Sequence, residues 1–89
     1  MRRYQKLLQA FLRNAIVEFR EQQDFSQEKM AELLRVSPRS YNDQEHGKYG
    51  FSAASLFFFL LALPEEETLR LLHRLQERLE KEDQNGDND

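Results

Sequence analysis

The side chains best suited to catalysis or metal binding are few in this chain and lie far apart. The 89 residues include no cysteine, and the two histidines, His46 and His73, are 27 positions apart. Neither histidine sits in the ligand spacing of a zinc site. The sequence also has no nucleophile elbow and no glycine-rich phosphate loop. These features predict a protein that is not an enzyme and that holds no metal or cofactor.

The composition is that of one small domain without a membrane segment. Hydrophobic residues make up 39% of the chain and charged residues 33%. The longest apolar stretch, 51–63, contains two serines and is shorter than the roughly 18 residues that span a bilayer. The basic start is followed by polar residues at helical spacing, so we expect no export signal and a cytoplasmic location. A chain this short needs efficient helix packing or a partner subunit.

Apolar residues recur at helical spacing along most of the chain. From Tyr4 to Phe19 they follow steps of three and one, which predicts one apolar stripe on a helix. Glycine and proline together number only five, and no extended alternation of period two occurs. The sequence predicts an all-α domain over residues 1–81. Its five helices are expected at about 3–22, for about nine residues after Ser26, and at 38–46, 53–63 and 64–81, followed by a disordered acidic tail at 82–89.

Several helix ends are marked by residues with a known conformational preference. Ser26, Ser37 and Ser52 can each accept a hydrogen bond from the first turn of a helix, as N-cap residues do. Pro38 suits the first helical position, where a backbone N–H is not needed. Gly47 is expected to end the third helix in the left-handed conformation.

The second and third helices form a recognisable pair. Two short helices with a three- or four-residue connection, the second opening with small polar side chains, are typical of a helix-turn-helix, here over residues 26–45. The segments Ile16-x-x-Phe19-Arg20-Glu21, 25–34, Val36-Ser37 and Glu45-His46-Gly47-Lys48 carry a further likeness. Their order and spacing resemble the phage-repressor and Cro-like, or XRE-type, helix-turn-helix transcriptional regulators. That resemblance implies a five-helix, lambda-repressor-like DNA-binding domain, here with extended first and fifth helices.

The resemblance assigns structural roles to residues that never touch DNA. It implies that Ala31 lets the two motif helices cross closely, and that Arg20 and Glu45 form an ion pair. Three positions depart from the family pattern. Arg35 stands where a glycine usually makes the tight turn, so a non-glycine residue is expected at positive φ. Tyr41 and Gln44 replace aliphatic core residues.

The same resemblance gives the side chains expected at DNA. Arg39 can donate two hydrogen bonds to guanine, Asn42 can pair with adenine, and Asp43 can accept from cytosine. Lys48 is expected to hold phosphates, which gives affinity without sequence preference. The implied partner is double-stranded DNA. The full set of expected contact residues is Gln27, Ser37, Pro38, Arg39, Ser40, Asn42, Asp43 and Lys48.

The charge pattern leaves a second function open. Residues 1–50 carry nine Lys or Arg and seven Asp or Glu, whereas residues 65–89 carry four and nine. Residues 26–50 contain four basic and four acidic residues, and this balance is a weak electrostatic signal for DNA. The alternative is a protein-interaction module with a repressor-like fold, such as an antirepressor or an antitoxin-type partner, with weak or no DNA binding.

The fourth helix is apolar on every side and the first helix extends beyond the motif, and two arrangements can cover this surplus apolar surface. In a homodimer, apolar residues of either the first or the fifth helix pack across a two-fold axis. In a monomer, the fifth helix folds back and the first helix covers it. The sequence favours the dimer, with interface candidates Tyr4, Leu8, Phe11, Leu72, Leu75 and Leu79.

Overall fold

Five α-helices make up the computed structural model, which describes the backbone of residues 2–87 and the side chains of residues 3–84. They are α1 (Arg2–Gln22), α2 (Gln27–Leu34), α3 (Pro38–Glu45), α4 (Ala53–Ala62) and α5 (Glu65–Asp87). No strand occurs among the described residues, so the predicted all-α class is confirmed. The predicted helix starts agree with these bounds within one residue. No helix in the described part of the chain combines the length and the apolar character needed to cross a membrane.

Serine side chains begin the three short helices. The hydroxyls of Ser26, Ser37 and Ser52 each accept a hydrogen bond from the backbone N–H three residues later, at 3.0, 3.1 and 3.1 Å. Pro38 occupies the first turn of α3. Each cap stabilises its helix by about 1 kcal/mol, which matters because helices of eight to ten residues are marginal without help.

The core lies where α2, α3 and α4 meet the second half of α1. Ala31 of α2 is 1% exposed, as expected for a small residue between crossing helices. Phe19 of α1 packs edge-on against Phe25 and Phe59, with ring centroids 6.0 and 5.6 Å away. These contacts enclose a small apolar centre whose most deeply buried side chains are Ile16, Met30, Leu34, Tyr41, Ser55 and Phe59.

Helix α5 runs antiparallel to α1 and is longer than the sequence predicts. Near the start of α1, the Tyr4 hydroxyl donates to Asp83, and the Arg3 guanidinium lies 3.9 Å from Glu82. The expected end near residue 81 is therefore too early, because acidic residues beyond it contact the N-terminal turn of α1 and the helix continues to Asp87. Residues 88 and 89 of the predicted tail, and Met1, lie outside the described residues.

The α1–α5 pairing corresponds to the fold-back arrangement rather than to a free interface helix. Leu71 is 7% exposed, and four of the six interface candidates, Tyr4, Phe11, Leu75 and Leu79, are half-buried within one chain. The other two candidates, Leu8 and Leu72, are 40% and 50% exposed. Of the six predicted interface residues, only these two therefore have largely exposed side chains that a second copy could cover.

The turn between α2 and α3 has the backbone conformation expected at Arg35. Its φ of 60° and ψ of 42° are left-handed, which is unfavourable for any residue with a Cβ. The side chain gains contacts in return: its guanidinium lies 4.0 Å from the centroid of the Phe58 ring, and Nη1 donates to the Leu33 carbonyl at 3.2 Å. Arg35 thus ties the turn to α4, which a glycine could not do.

We expect the variant Arg35→Gly to be more stable than Arg35→Ala by about 1 kcal/mol in urea unfolding. Both variants lose the cation–π contact, so their difference reports the left-handed backbone alone. The matched control is the pair Glu32→Gly and Glu32→Ala at an exposed position within α2, where the order should reverse because glycine is the poorer helix former. Equal stability of the two Arg35 variants would contradict a left-handed turn.

Candidate nucleic-acid interface

A two-pronged ion pair fixes the end of α3 against α1. Arg20 donates from Nε to Glu45 Oε2 at 3.0 Å and from Nη2 to Oε1 at 2.7 Å. Its third nitrogen, Nη1, donates to the Phe25 carbonyl at 3.1 Å. The two charged side chains are only 19% and 12% exposed. The structure therefore brings together the two residues that the family resemblance pairs.

The charge state of this pair follows from its surroundings. Burial alone would raise the pKa of Glu45, but the hydrogen-bonded Arg20 guanidinium, with the Gln27 amide and the adjacent Tyr41 hydroxyl, outweighs burial and holds the pKa below its ordinary value of 4.5. Burial is also the main cause that raises the pKa of Tyr41. The Tyr41 ring is fully buried, and its hydroxyl lies beside Glu45 without a hydrogen bond of ordinary geometry. Glu45 is thus ionised and Tyr41 neutral at pH 7.

Two of the expected DNA-contacting residues hydrogen-bond to each other. Asn42 donates from Nδ2 to Gln27 Oε1 at 3.0 Å, and Gln27 donates from Nε2 to Glu45 Oε1 at 3.4 Å. Both amides are half-buried. A continuous chain of polar contacts therefore runs from the ion pair through the first residue of α2 to the middle of α3.

The N-terminal end of α3 is the exposed part of the site. Residues 37–40 are all exposed, whereas Asn42 and Asp43 are half-buried. The Ser37 hydroxyl is engaged within the helix, since it accepts from the Ser40 amide and donates to the Ser40 hydroxyl at 3.0 Å. Within the described part of the chain, the Arg39 guanidinium makes no hydrogen bond or ion pair. Arg39 is therefore the charged group of α3 that a ligand can reach at no cost in internal contacts.

The loop after α3 carries Lys48 at the surface. Gly47 has a φ of 80°, the left-handed conformation expected of it, and the Lys48 amide donates to the Asp43 carbonyl at 2.8 Å. The Lys48 side chain is exposed, with its ammonium 5.6 Å from the centroid of the Tyr49 ring. The backbone thus closes the end of α3 while the charge remains in solvent.

Sequence reasoning missed the residue that holds this loop. Gln9 of α1 donates from Nε2 to the Phe51 carbonyl at 2.9 Å and accepts from the Phe51 amide at 2.8 Å. A side chain at Gly50 would collide with Gln9, since an added Cβ would lie 2.9 Å from its amide carbon. The sequence contains no signal for this role, because Gln9 lies beside Lys6 and Arg13 on the polar face of α1, where an amide needs no special explanation. Gln44, expected in the core, also turns to this loop and donates to the Gly50 carbonyl at 3.4 Å.

The fold and this site define the class of protein. Two short, serine-capped helices cross over a small buried residue, and the second presents a polar edge, as in helix-turn-helix DNA-binding domains. The family model described as helix-turn-helix matches residues 16–73. The chain therefore belongs to the XRE-type helix-turn-helix family, a family of DNA-binding regulators, and the resemblance read from the sequence is confirmed. Neither the search of curated proteins nor the search of solved structures found a match.

We expect Arg20→Ala to lower the free energy of unfolding by about 3 kcal/mol, because it leaves the shielded Glu45 carboxylate without its charge partner. Thermal or urea unfolding measures the loss. Arg39→Ala removes the same type of side chain from an exposed position and should change stability by less than about 0.5 kcal/mol. Similar stabilities for the two variants would show that the ion pair does not support the fold.

The pH dependence gives a second measure of the same interaction. Since the folded-state pKa of Glu45 is lowered, its stabilising contribution is complete above the ordinary value of 4.5 and is lost as the pH falls through the folded-state pKa. In Arg20→Ala the main cause that lowers this pKa is gone. The loss of stability between neutral and acidic pH should therefore be smaller in the variant than in the original chain.

Proposed function

We propose that this chain is a sequence-specific transcriptional regulator that inserts α3 into the major groove of double-stranded DNA. One observation carries the proposal: the exposed edge at residues 37–40 presents an unpaired Arg39 on a helix whose two ends are fixed. A guanidinium in this position can donate two parallel hydrogen bonds to guanine O6 and N7, the commonest specific contact in protein–DNA complexes.

The other side chains of the proposed site would either contact the edges of the bases or contact the phosphate backbone and position α3. Asn42 and Asp43 lie further along α3 and offer groups for adenine and cytosine. The second N–H of the Asn42 amide remains available while the first is bound by Gln27. Gln27, Ser37, Pro38 and Ser40 border this edge and set its shape. Lys48 would contact a phosphate and position the helix without reading sequence.

Selection from a pool of random duplex DNA tests this proposal directly. We expect enrichment of one sequence, and Arg39→Ala should lose about 1–3 kcal/mol of discrimination at one base pair. Lys48→Ala is the matched control with the same loss of charge, and it should weaken binding to all sequences alike and reduce the salt dependence by about one phosphate contact. The proposal fails if no sequence is enriched even at low salt.

We further propose that the chain acts as a homodimer, with a second copy covering exposed apolar residues of α4 and α5. Leu61 is 81% exposed, and Phe57, Leu69 and Leu72 are 62%, 59% and 50% exposed. Residues 51–64, which include α4, contain no charged side chain, so the α4 surfaces of two copies can face each other across a two-fold axis without opposing like charges. A dimer would place two recognition helices about 34 Å apart, on the two half-sites of a palindrome.

Leu61→Glu should convert the dimer to a monomer of unchanged fold, because the side chain is exposed within one chain and is buried only between copies. Static light scattering measures the mass, and circular dichroism checks the helical content. Asn14→Glu places the same charge at an exposed position of α1 outside the proposed interface and should leave the dimer intact. A monomeric mass for the original chain in dilute solution would overturn the proposed dimer.

One observation favours a different function. The basic and acidic residues of the motif balance, so residues 26–50 contribute no net positive charge toward DNA. A protein-interaction module that kept the repressor fold would show this balance. The same pool selection separates the two functions, since such a module would retain its fold and its partner but enrich no sequence.

A further inference from the structure

The N-terminal half of α1 lies outside the residues that match the family and carries an excess of positive charge. Residues 1–17 contain Arg2, Arg3, Lys6 and Arg13 and no acidic residue, whereas the matched segment begins at residue 16. Arg3 faces Glu82 and Asp83 of α5. Among the side chains that the structure describes, Lys6 and Arg13 form no ion pair with α5, so their charges add to a surplus in this part of the chain.

Lys6 and Arg13 lie on the face of α1 that contacts the loop after α3. They flank Gln9 at helical spacing, and Gln9 is bound to both backbone groups of Phe51. The Arg13 guanidinium approaches the loop closely, since a Cβ added at Gly47 would lie 3.0 Å from Nη1. The loop glycines thus allow this face of α1 to reach the backbone beside Lys48.

A pocket of about 250 Å³ lies between this face and the loop. Lys6, Arg13 and Lys48 line it together with Gln9 and Gln44, and no Asp or Glu is among its lining residues. We call it the basic pocket. It contrasts with the larger groove between α1 and α5, where Glu18 and Glu67 accompany the arginines.

We propose that the basic pocket binds a phosphate of the DNA backbone, so that Lys6 and Arg13 extend the contact surface beyond the helix-turn-helix. This inference rests on the proposed function and adds to it two residues that the family match does not include. Lys48 joins the pocket to the proposed interface, because it lies three residues after the end of α3 and lines the pocket. Lys6 and Arg13 also supply the net positive charge that residues 26–50 lack.

A competing account is that Arg13 and Lys48 only complement the negative end of the α3 dipole. Under that account their removal would lower the stability of the loop and leave the number of phosphate contacts unchanged. Lys6 separates the two accounts, because it is exposed and lies two turns along α1 from Arg13, beyond the first turn over which a dipole acts.

The test is the salt dependence of binding to a labelled random-sequence duplex, measured by fluorescence anisotropy over about 50 to 200 mM salt. Lys6→Gln with Arg13→Gln should reduce the slope of log K against log salt by about 1, because the single phosphate contact of the pocket is lost, and Lys6→Gln alone should reduce it by about half as much. The matched control is Arg78→Gln with Lys81→Gln, which removes the same charge from exposed positions of α5 and should leave the slope unchanged. Circular dichroism verifies that each variant is folded.

Each outcome decides between the possibilities. A slope that falls in the α1 variants and not in the α5 variant supports the basic pocket. If Arg13→Gln prevents folding, Lys6→Gln alone decides the matter by its slope. Equal slopes for the original chain and Lys6→Gln, or equal reductions in the α1 and α5 double variants, overturn the inference while the proposed function stands. A chain that binds no duplex at any salt concentration overturns the proposed function, and the basic pocket with it.

Discussion

The position of α3 depends on the hydrogen-bonded ion pair between Arg20 and Glu45. A helix of eight residues has too few internal hydrogen bonds to be stable alone, so its ends and one face must be fixed by the rest of the molecule. Ser37 fixes the first turn, the buried Tyr41 fixes one face, and Arg20 fixes the last residue. With these three restraints in place, only the polar edge of α3 can face solvent.

The same ion pair organises the neighbouring polar groups. Glu45 accepts from Gln27 as well as from Arg20, and Gln27 in turn accepts from Asn42. Some of the side chains expected to contact DNA are therefore held by internal hydrogen bonds, whereas Arg39 is not. Asn42 and Gln27 have their rotamers set before any ligand arrives, which lowers the entropy lost on binding. Arg39 keeps its freedom and its full hydrogen-bonding capacity.

Local chemistry explains which parts of this structure could be predicted from sequence. The serine caps, Pro38 at the start of α3 and the apolar stripe of α1 depend on residues within one or two turns, and their positions agree with the structure. The Arg20–Glu45 pair and the left-handed Arg35 came from the family resemblance, because no spacing rule connects residues so far apart. The end of α5 could not be predicted, since it depends on Tyr4 reaching Asp83 across 79 positions. Gln9 was missed for the same reason: an amide at the surface of a helix shows its partner only when the chain is folded.

The net charge of −3 does not by itself oppose DNA binding, because α1 separates the two kinds of charge. Tyr4 and Phe11 lie on the face toward α5, whereas Lys6 and Arg13 follow them by two positions each, which at about 100° per residue places them on nearly the opposite face. A helix with its side chains is about 10 Å across, and electrostatic interactions in physiological salt decay over about 8 Å. The acidic side chains of α5 that meet the start of α1 are thus screened from the face that carries Lys6, Arg13 and Lys48. A duplex approaching α3 meets the local field of that face and of Arg39, and the sum over the whole chain has little influence on it.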